Sequence, residues 1–199
     1  MSLRKRRIRL LRWAMVPVVL IPVFVPSSWT QDPAIDFPIE WFGYLLLVAG
    51  LGLRIWSILY VGQRKSKELV TTGPYSLCRN PLYLGTFAIA VGAGLSFANV
   101  LMVAAALVVI VPIHLAVIRL EEPHLRDLFG RQYDEYARRI PRLLPSLRHY
   151  SSPKTVEVST RAVRRVTIEA MGVLMIPLLE DLFELLHANG VLPVLWHFP

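Results

Sequence analysis

Charge is missing from two long stretches of this chain. Residues 81 to 118, a run of 38, contain no Asp, Glu, Lys or Arg, and residues 13 to 31 contain none either. Lys and Arg are absent all the way from Trp13 to Leu53. Such runs exclude an ordinary soluble domain, whose helices alternate apolar and charged faces. A helix rises about 1.5 Å per residue and needs about 20 residues to cross a bilayer. Residues 13 to 31 therefore suffice for one crossing, and 81 to 118 for nearly two. Cysteine is almost absent as well. The single Cys78 excludes an intramolecular disulfide, so the fold does not depend on an oxidising compartment. No glycine-rich loop follows a strand pattern, which argues against a dinucleotide-type α/β fold. No Cys/His or His/Glu spacing makes a credible metal site.

What is present fits one membrane domain. The 199 residues are 54% hydrophobic, with a mean hydropathy of +0.48. A net charge of +8 invites a nucleic-acid partner, but its placement argues otherwise. The basic residues gather at the N-terminus, around 54 to 79, and from Arg119 to Arg165, which is the positive-inside pattern. Membrane lipids, not nucleic acid, are the expected partners. The N-terminus and the basic loops are expected on the cytoplasmic side.

Read in order, the chain predicts an all-α, polytopic protein with about four transmembrane helices and interfacial C-terminal helices. Arg4, Lys5, Arg6, Arg7, Arg9 and Arg12 precede a first span at 13 to 31. A cleaved signal peptide is the competing reading, weakened by three prolines and the lack of a small-x-small site. Trp41 to Gly62 is the second span. Arg54 lies inside it, and it either snorkels to the interface or finds a carboxylate. Pro81 to Ile118 forms a hairpin of two further spans, with Ser96-Phe97-Ala98-Asn99 as its outer turn. His114, near the inner end of the fourth span, reads as a neutral histidine bonded to a neighbouring helix. Pro123 is expected to open a new helix. Leu125, Leu128, Phe129, Tyr133, Tyr136 and Ile140 then supply an apolar stripe, broken at Gly130, for a segment lying on the inner surface. Pro145, Ser151, Ser152 and Pro153 mark a linker. Residues 161 to 187 read as a helix whose uncharged centre is short for a span; it is interfacial or a fifth crossing. The segments are thus 1–38, 39–145 and 146–199, the last without an assigned role.

The stretch from Leu69 to Gly85, LVTTGPYSLCRNPLYLG, does not fit a plain linker. Pro74 denies Gly73 the helical region, and Pro81 is well placed as the first residue of a helix. Two fixed bends at the mouth of a membrane helix make a rigid polar pocket at the water interface, or simply a basic loop with caps. Forty residues on come Arg119-Leu120-Glu121-Glu122-Pro123-His124-Leu125 and then Phe129-Gly130-Arg131-Gln132-Tyr133-Asp134-Glu135-Tyr136. The order LVTTGPY, RNPLYLG, apolar hairpin, EEPHL, FGRQYDEY and PRLLP resembles the membrane methyltransferases typified by isoprenylcysteine carboxyl methyltransferase, to which phospholipid methyltransferases are related. The resemblance covers roughly residues 40 to 145. One departure stands out: many members have His-Pro where this chain has Asn80-Pro81, and Asn does not titrate near neutrality.

The resemblance implies an enzyme that uses S-adenosyl-L-methionine on an amphipathic or lipidic acceptor. It implies that Lys67, Leu69, Val70 and Tyr75, then Asn80, Pro81, Leu82 and Tyr83, bind the cofactor. It implies that Glu121 or Glu122 accepts hydrogen bonds from the cofactor's ribose or ammonium or helps to orient the acceptor, with Glu122 counted as cofactor-binding and Glu121 as catalytic, and that Arg119 neutralises an acceptor carboxylate. A carboxylate acceptor is the first expectation; phospholipid N-methylation and thiol S-methylation are alternatives. A nicotinamide-dependent reductase of the sterol-reductase type is a rival enzyme, and a membrane scaffold or permeation protein is the rival outside enzymes.

Overall fold

A computed structural model of the chain describes residues 20–25, 33–62 and 68–194. All regular structure among them is helical. The long elements are α1 (Pro33–Val61), α2 (Pro81–Ser96), α3 (Val100–Phe129), α4 (Arg131–Arg139) and α5 (Thr160–Ala188). Single 3-10 turns occur at Gly73–Ser76 and Leu147–His149. The first expected span is described only at residues 20–25, and Lys67 lies outside the described residues.

Two of the helices are long and apolar enough to cross a membrane, Ala34–Val61 within α1 and Val100–Phe129 in α3. Only 33% and 28% of their most apolar stretches are buried. A core helix of a soluble protein would be covered, whereas these turn Phe42, Leu45, Val48 and Val108 outward. The uncharged run from 81 to 118 divides unequally. α2 takes 16 residues and is the shorter apolar helix.

The chain packs as two compact units. The described residues of one are 20–25, 33–48, 89–113 and 174–194. Here α1 and α2 approach closely: a Cβ added to Gly92 would lie 2.7 Å from the Gly43 carbonyl oxygen. The turn between α2 and α3 falls at residues 97–99, as the sequence predicts. The Asn99 side chain caps α3 by accepting from the Met102 N–H at 2.9 Å. The Tyr44 hydroxyl donates to Glu180 of α5 at 2.9 Å.

The second unit comprises residues 49–88 and 114–173. Ile58 of α1 packs with Ala162 and Val166 of α5, with Leu82 of α2 beside them. Arg54 resolves the choice left open by the sequence. Its guanidinium reaches Glu169 of α5 at 2.7 Å, bonds Thr86, and donates to the Leu82 carbonyl at 3.4 Å. The partner thus comes from the segment that has no assigned role in the sequence reading, and it is neither Glu121 nor Glu122.

Two expectations about the Glu-Glu junction need correction. No helix begins at Pro123; α3 runs through it to Phe129. A proline already has a helical φ and removes only one backbone donor, so one proline near a helix end is tolerated when tertiary contacts hold the turn. The break comes at Gly130, whose φ of 52° lies in the left-handed region. The apolar stripe also loses a member. Leu128 is 46% exposed, while Tyr133, Tyr136 and Ile140 are buried with Leu69, Leu125 and Phe129 packed on them. Because α3 continues unbroken, Leu125 and Phe129 share a face one turn apart and Leu128 turns about 100° away from Phe129.

Candidate active site

The second unit contains a loop whose backbone is fixed residue by residue. Gly73 has a φ of 61°, and a Cβ there would lie 2.2 Å from the Tyr60 ring. Glycine is therefore required both for conformation and for space. Pro74 follows, and the chain makes one tight turn. The Ser76 hydroxyl closes it by donating to the Gly73 carbonyl at 2.6 Å. Asn80 then ends the loop. Its carbonyl accepts from the Tyr83 and Leu84 amides, each at 3.1 Å, as α2 starts at Pro81.

A strap from residues 141 to 152 is laced along this loop. The Arg79 amide donates to the Pro141 carbonyl at 2.8 Å, and the Ser146 amide to the Leu77 carbonyl at 3.0 Å. The Gly73 amide donates to the Ser151 carbonyl at 2.7 Å. The Asn80 side-chain amide donates to the Arg142 carbonyl at 3.1 Å. Tyr60 and Ser152 hydroxyls meet at 2.8 Å. These contacts satisfy polar groups that a loop would otherwise leave to water, and they immobilise it.

Between the loop, the start of α2 and the end of α3 lies a cavity. Leu69, Val70 and Tyr75 line one side; Asn80, Leu82 and Tyr83 line another; Glu121, His124, Leu125 and Phe129 come from α3. Val61, Glu68, Arg79 and Tyr136 complete it. The Tyr83 hydroxyl donates to Glu121 Oε2 at 2.7 Å, and the His114 ring sits edge-on to Tyr83 with centroids 5.1 Å apart. The Tyr136 hydroxyl donates to the Tyr75 carbonyl at 2.7 Å, tying α4 to the loop.

Seven of the residues singled out from the sequence thus meet on one cavity: Leu69, Val70, Tyr75, Asn80, Leu82, Tyr83 and Glu121. Pro81 is buried and does not line it. Glu122 does not line it either. Its carboxylate bridges Arg79 at 3.1 Å and Arg142, whose Nε donates at 3.0 Å. Arg119 is exposed and stands apart from the cavity. Sequence reasoning missed Val61, Glu68, Arg79 and His124 as lining residues. Arg79 carried a signal, since it adjoins Asn80-Pro81. Tyr136 and Phe129 were visible as stripe positions, but not as cavity walls.

Three groups around the cavity, Tyr75, Cys78 and Tyr136, are held protonated. Burial pushes the Tyr75 hydroxyl well above the ordinary tyrosine range, helped by the negative charge of nearby Cys78 and Glu121 when ionised. Burial does the same to Tyr136. Burial pushes the Cys78 thiol up to about 11, against a backbone hydrogen bond at Asn80 that favours the thiolate. At neutral pH these groups are neutral, so Cys78 is no ready nucleophile and the phenols act as hydrogen-bond donors. The site therefore offers an apolar, aromatic-walled space with two carboxylates, Glu68 and Glu121, and one guanidinium. Such a space suits a ligand that carries a positive charge next to flat or apolar groups.

A phospholipid methyltransferase family model matches residues 39–132. The chain is 34% identical over 191 residues to the nickel-cobalt-cadmium resistance protein NccN of Alcaligenes xylosoxydans xylosoxydans, across 96% of this chain and 89% of that protein. It is 32% identical over 197 residues to the cobalt-zinc-cadmium resistance protein CzcN of Cupriavidus metallidurans, across 96% and 87%. It is 32% identical over 114 residues to protein-S-isoprenylcysteine O-methyltransferase B of Arabidopsis thaliana, across 52% of this chain and 58% of that protein. No solved structure matches the chain.

Proposed function

The chain belongs to the family of integral membrane methyltransferases that includes the isoprenylcysteine carboxyl and phospholipid methyltransferases, and we propose that it transfers a methyl group from S-adenosylmethionine to the carboxylate of a lipidic or prenylated acceptor. The observation that carries this reading is that the Tyr83–Glu121 pair and Arg79 line one aromatic-walled cavity.

The residues fit the donor's chemistry. When bound, S-adenosylmethionine supplies an electrophilic methyl carbon on a sulfonium. Tyr75 and Tyr83 provide flat faces and Leu69, Val70 and Leu82 apolar walls for its adenosine. Glu121 provides the negative charge that a sulfonium or ammonium group favours, and Tyr83 fixes where that charge points. Arg79 takes the role expected of Arg119: it holds an acceptor carboxylate in line with the methyl group. Glu122 keeps Arg79 in place and does not itself bind the cofactor. Apolar walls exclude water, which favours a reaction in which a cation and an anion become two neutral products. Holding the two reactants in contact is the main contribution of the chain, and no covalent nucleophile is required.

A carboxylate needs no base, whereas a protonated amine would need one. Glu68 and Glu121 both line the cavity and either carboxylate could serve an amine, so the preference for a carboxylate acceptor rests on its needing no base and on Arg79 to hold it. The basic residues gathered at 54 to 79 and 119 to 165 support a cytoplasmic site, where the acceptor's tail stays in lipid and its head meets the cofactor.

A second reading concerns setting rather than chemistry. Two relatives that match nearly full length carry the names of heavy-metal resistance proteins. We propose that methyl transfer by this chain also serves tolerance of such cations. Deleting its gene should lower the cobalt or cadmium concentration that stops growth, and a Glu121→Gln copy should fail to restore it. The enzymatic reading is tested by supplying membranes with methyl-labelled cofactor and identifying the labelled product.

A further inference from the structure

A second concavity adjoins the cavity and has the opposite character. It is lined by Arg79, Glu122, Arg126, Asp134, Arg138 and Arg142. Four guanidiniums therefore face two carboxylates. Glu122 is shared by Arg79 and Arg142, and Asp134 bonds Arg126 at 2.7 Å. Arg138 has no carboxylate partner among the described residues. Arg79 Nε is buried with no acceptor there. The basin thus holds about two uncompensated positive charges.

The arrangement differs from a solvated basic face. The two carboxylates hold three of the guanidiniums at fixed positions around one space, and Arg126 and Arg142 stay 58% and 49% exposed at its rim. Planar guanidiniums converging on a concavity match a tetrahedral oxyanion, which accepts several charge-assisted hydrogen bonds at once. Because Arg79 lines both spaces, the basin lies directly beside the methyl-transfer cavity.

We propose that this basin is a binding site for a phosphate group, carried on a lipid headgroup or free in solution. A bound phosphate would offset the excess charge and accept from the rim guanidiniums of Arg126, Arg138 and Arg142. The proposal stands whether or not the adjoining cavity transfers a methyl group.

The test uses the full chain in a maltoside detergent, which contains no phosphate. Inorganic phosphate and dihexanoyl phosphatidylglycerol are titrated separately by calorimetry into the wild type, Arg138→Gln, Arg126→Gln and Arg131→Gln. Arg131 lies on α4 but is 93% exposed and outside the basin, so it controls for general charge. Arg138→Gln and Arg126→Gln should each weaken binding roughly tenfold, since each removes a charged donor, and Arg131→Gln should leave it unchanged. Binding of the lipid alone assigns the site to a headgroup; binding of both probes assigns it to phosphate from either source. Equal weakening by Arg131→Gln, or no binding of either probe by a folded wild type, overturns the proposal.

Discussion

The hydroxyl of Tyr83 on α2 donates to the carboxylate of Glu121 on α3 across 2.7 Å, although 38 residues separate them in the chain. The bond joins the two motifs that flank the apolar hairpin. It also places the carboxylate on the cavity wall, with the His114 ring supporting the tyrosine from the side. If this pair holds the cationic donor, Tyr83→Phe should weaken S-adenosylhomocysteine binding less than Glu121→Gln weakens binding of a sulfonium analogue. A charged hydrogen bond is worth about 1.5–3 kcal/mol, so the Gln variant should lose roughly tenfold or more for the cation. Calorimetry on both ligands checks this; equal affinity of the wild type and Glu121→Gln for the cation would remove Glu121 from the site.

Glu122 is predicted to act through Arg79. Glu122→Gln should leave cofactor affinity near the wild-type value and raise the KM for a carboxylate acceptor, because Arg79 loses its nearest anchor. Arg119→Gln should change neither. Steady-state kinetics with a prenylated cysteine analogue separates the two. A large loss of cofactor affinity in Glu122→Gln with normal acceptor KM would reverse these roles.

Arg54 and Glu169 tie α5 to α1 and α2. Arg54→Ala should destabilise the protein by about 1.5–3 kcal/mol, the range for hydrogen bonds to charged groups. Glu169→Ala should do the same, and the double variant should cost less than the sum. Thermal unfolding in detergent measures the cycle. Strict additivity would mean that the pair does not couple.

Alkali should destabilise the fold through Cys78. Its thiol ionises near 9 when free and is pushed up to about 11 when folded. Between those values the unfolded chain has lost a proton that the folded chain keeps, so stability falls as pH rises. Cys78→Ala should flatten that fall. Tyr75 and Tyr136, also pushed upward, act with the same sign at higher pH.

Much of the helical order was legible because charge marks it. The empty run from 81 to 118 announced a hairpin, and Asn99 supplied the cap that ends its turn. The cavity walls at Leu69, Tyr75 and Tyr83 were legible because Gly73-Pro74 and Asn80-Pro81 force bends around them. Arg79 was passed over although it adjoins Asn80-Pro81, because one arginine among many basic residues does not reveal its partner. Its role depends on Glu122, 43 positions away. Pro123 misled for a different reason. Local preference marks a break, yet the turn is held by tertiary contacts to Glu122. Arg54 could not be assigned a partner because Glu169 lies 115 residues on, in a segment with no recognisable motif.

Orientation can be tested on α4. Cys78 is 1% exposed and will not report, whereas Arg131→Cys offers an exposed thiol. An impermeant maleimide should label Arg131→Cys in inverted vesicles and not in intact cells. Labelling from outside would place the cavity away from the cofactor supply.

The most direct measurement offers labelled S-adenosylmethionine with a prenylated cysteine analogue, a fatty acid, phosphatidylethanolamine and a water-soluble thiol in turn. A carboxyl methyl ester releases labelled methanol in alkali, and N-methyl or S-methyl products do not. The account predicts alkali-labile label on the prenylated analogue or the fatty acid, lost in Glu121→Gln and in Arg79→Gln. Label confined to the soluble thiol, stable to alkali, would contradict both the carboxylate and the lipid-borne acceptor.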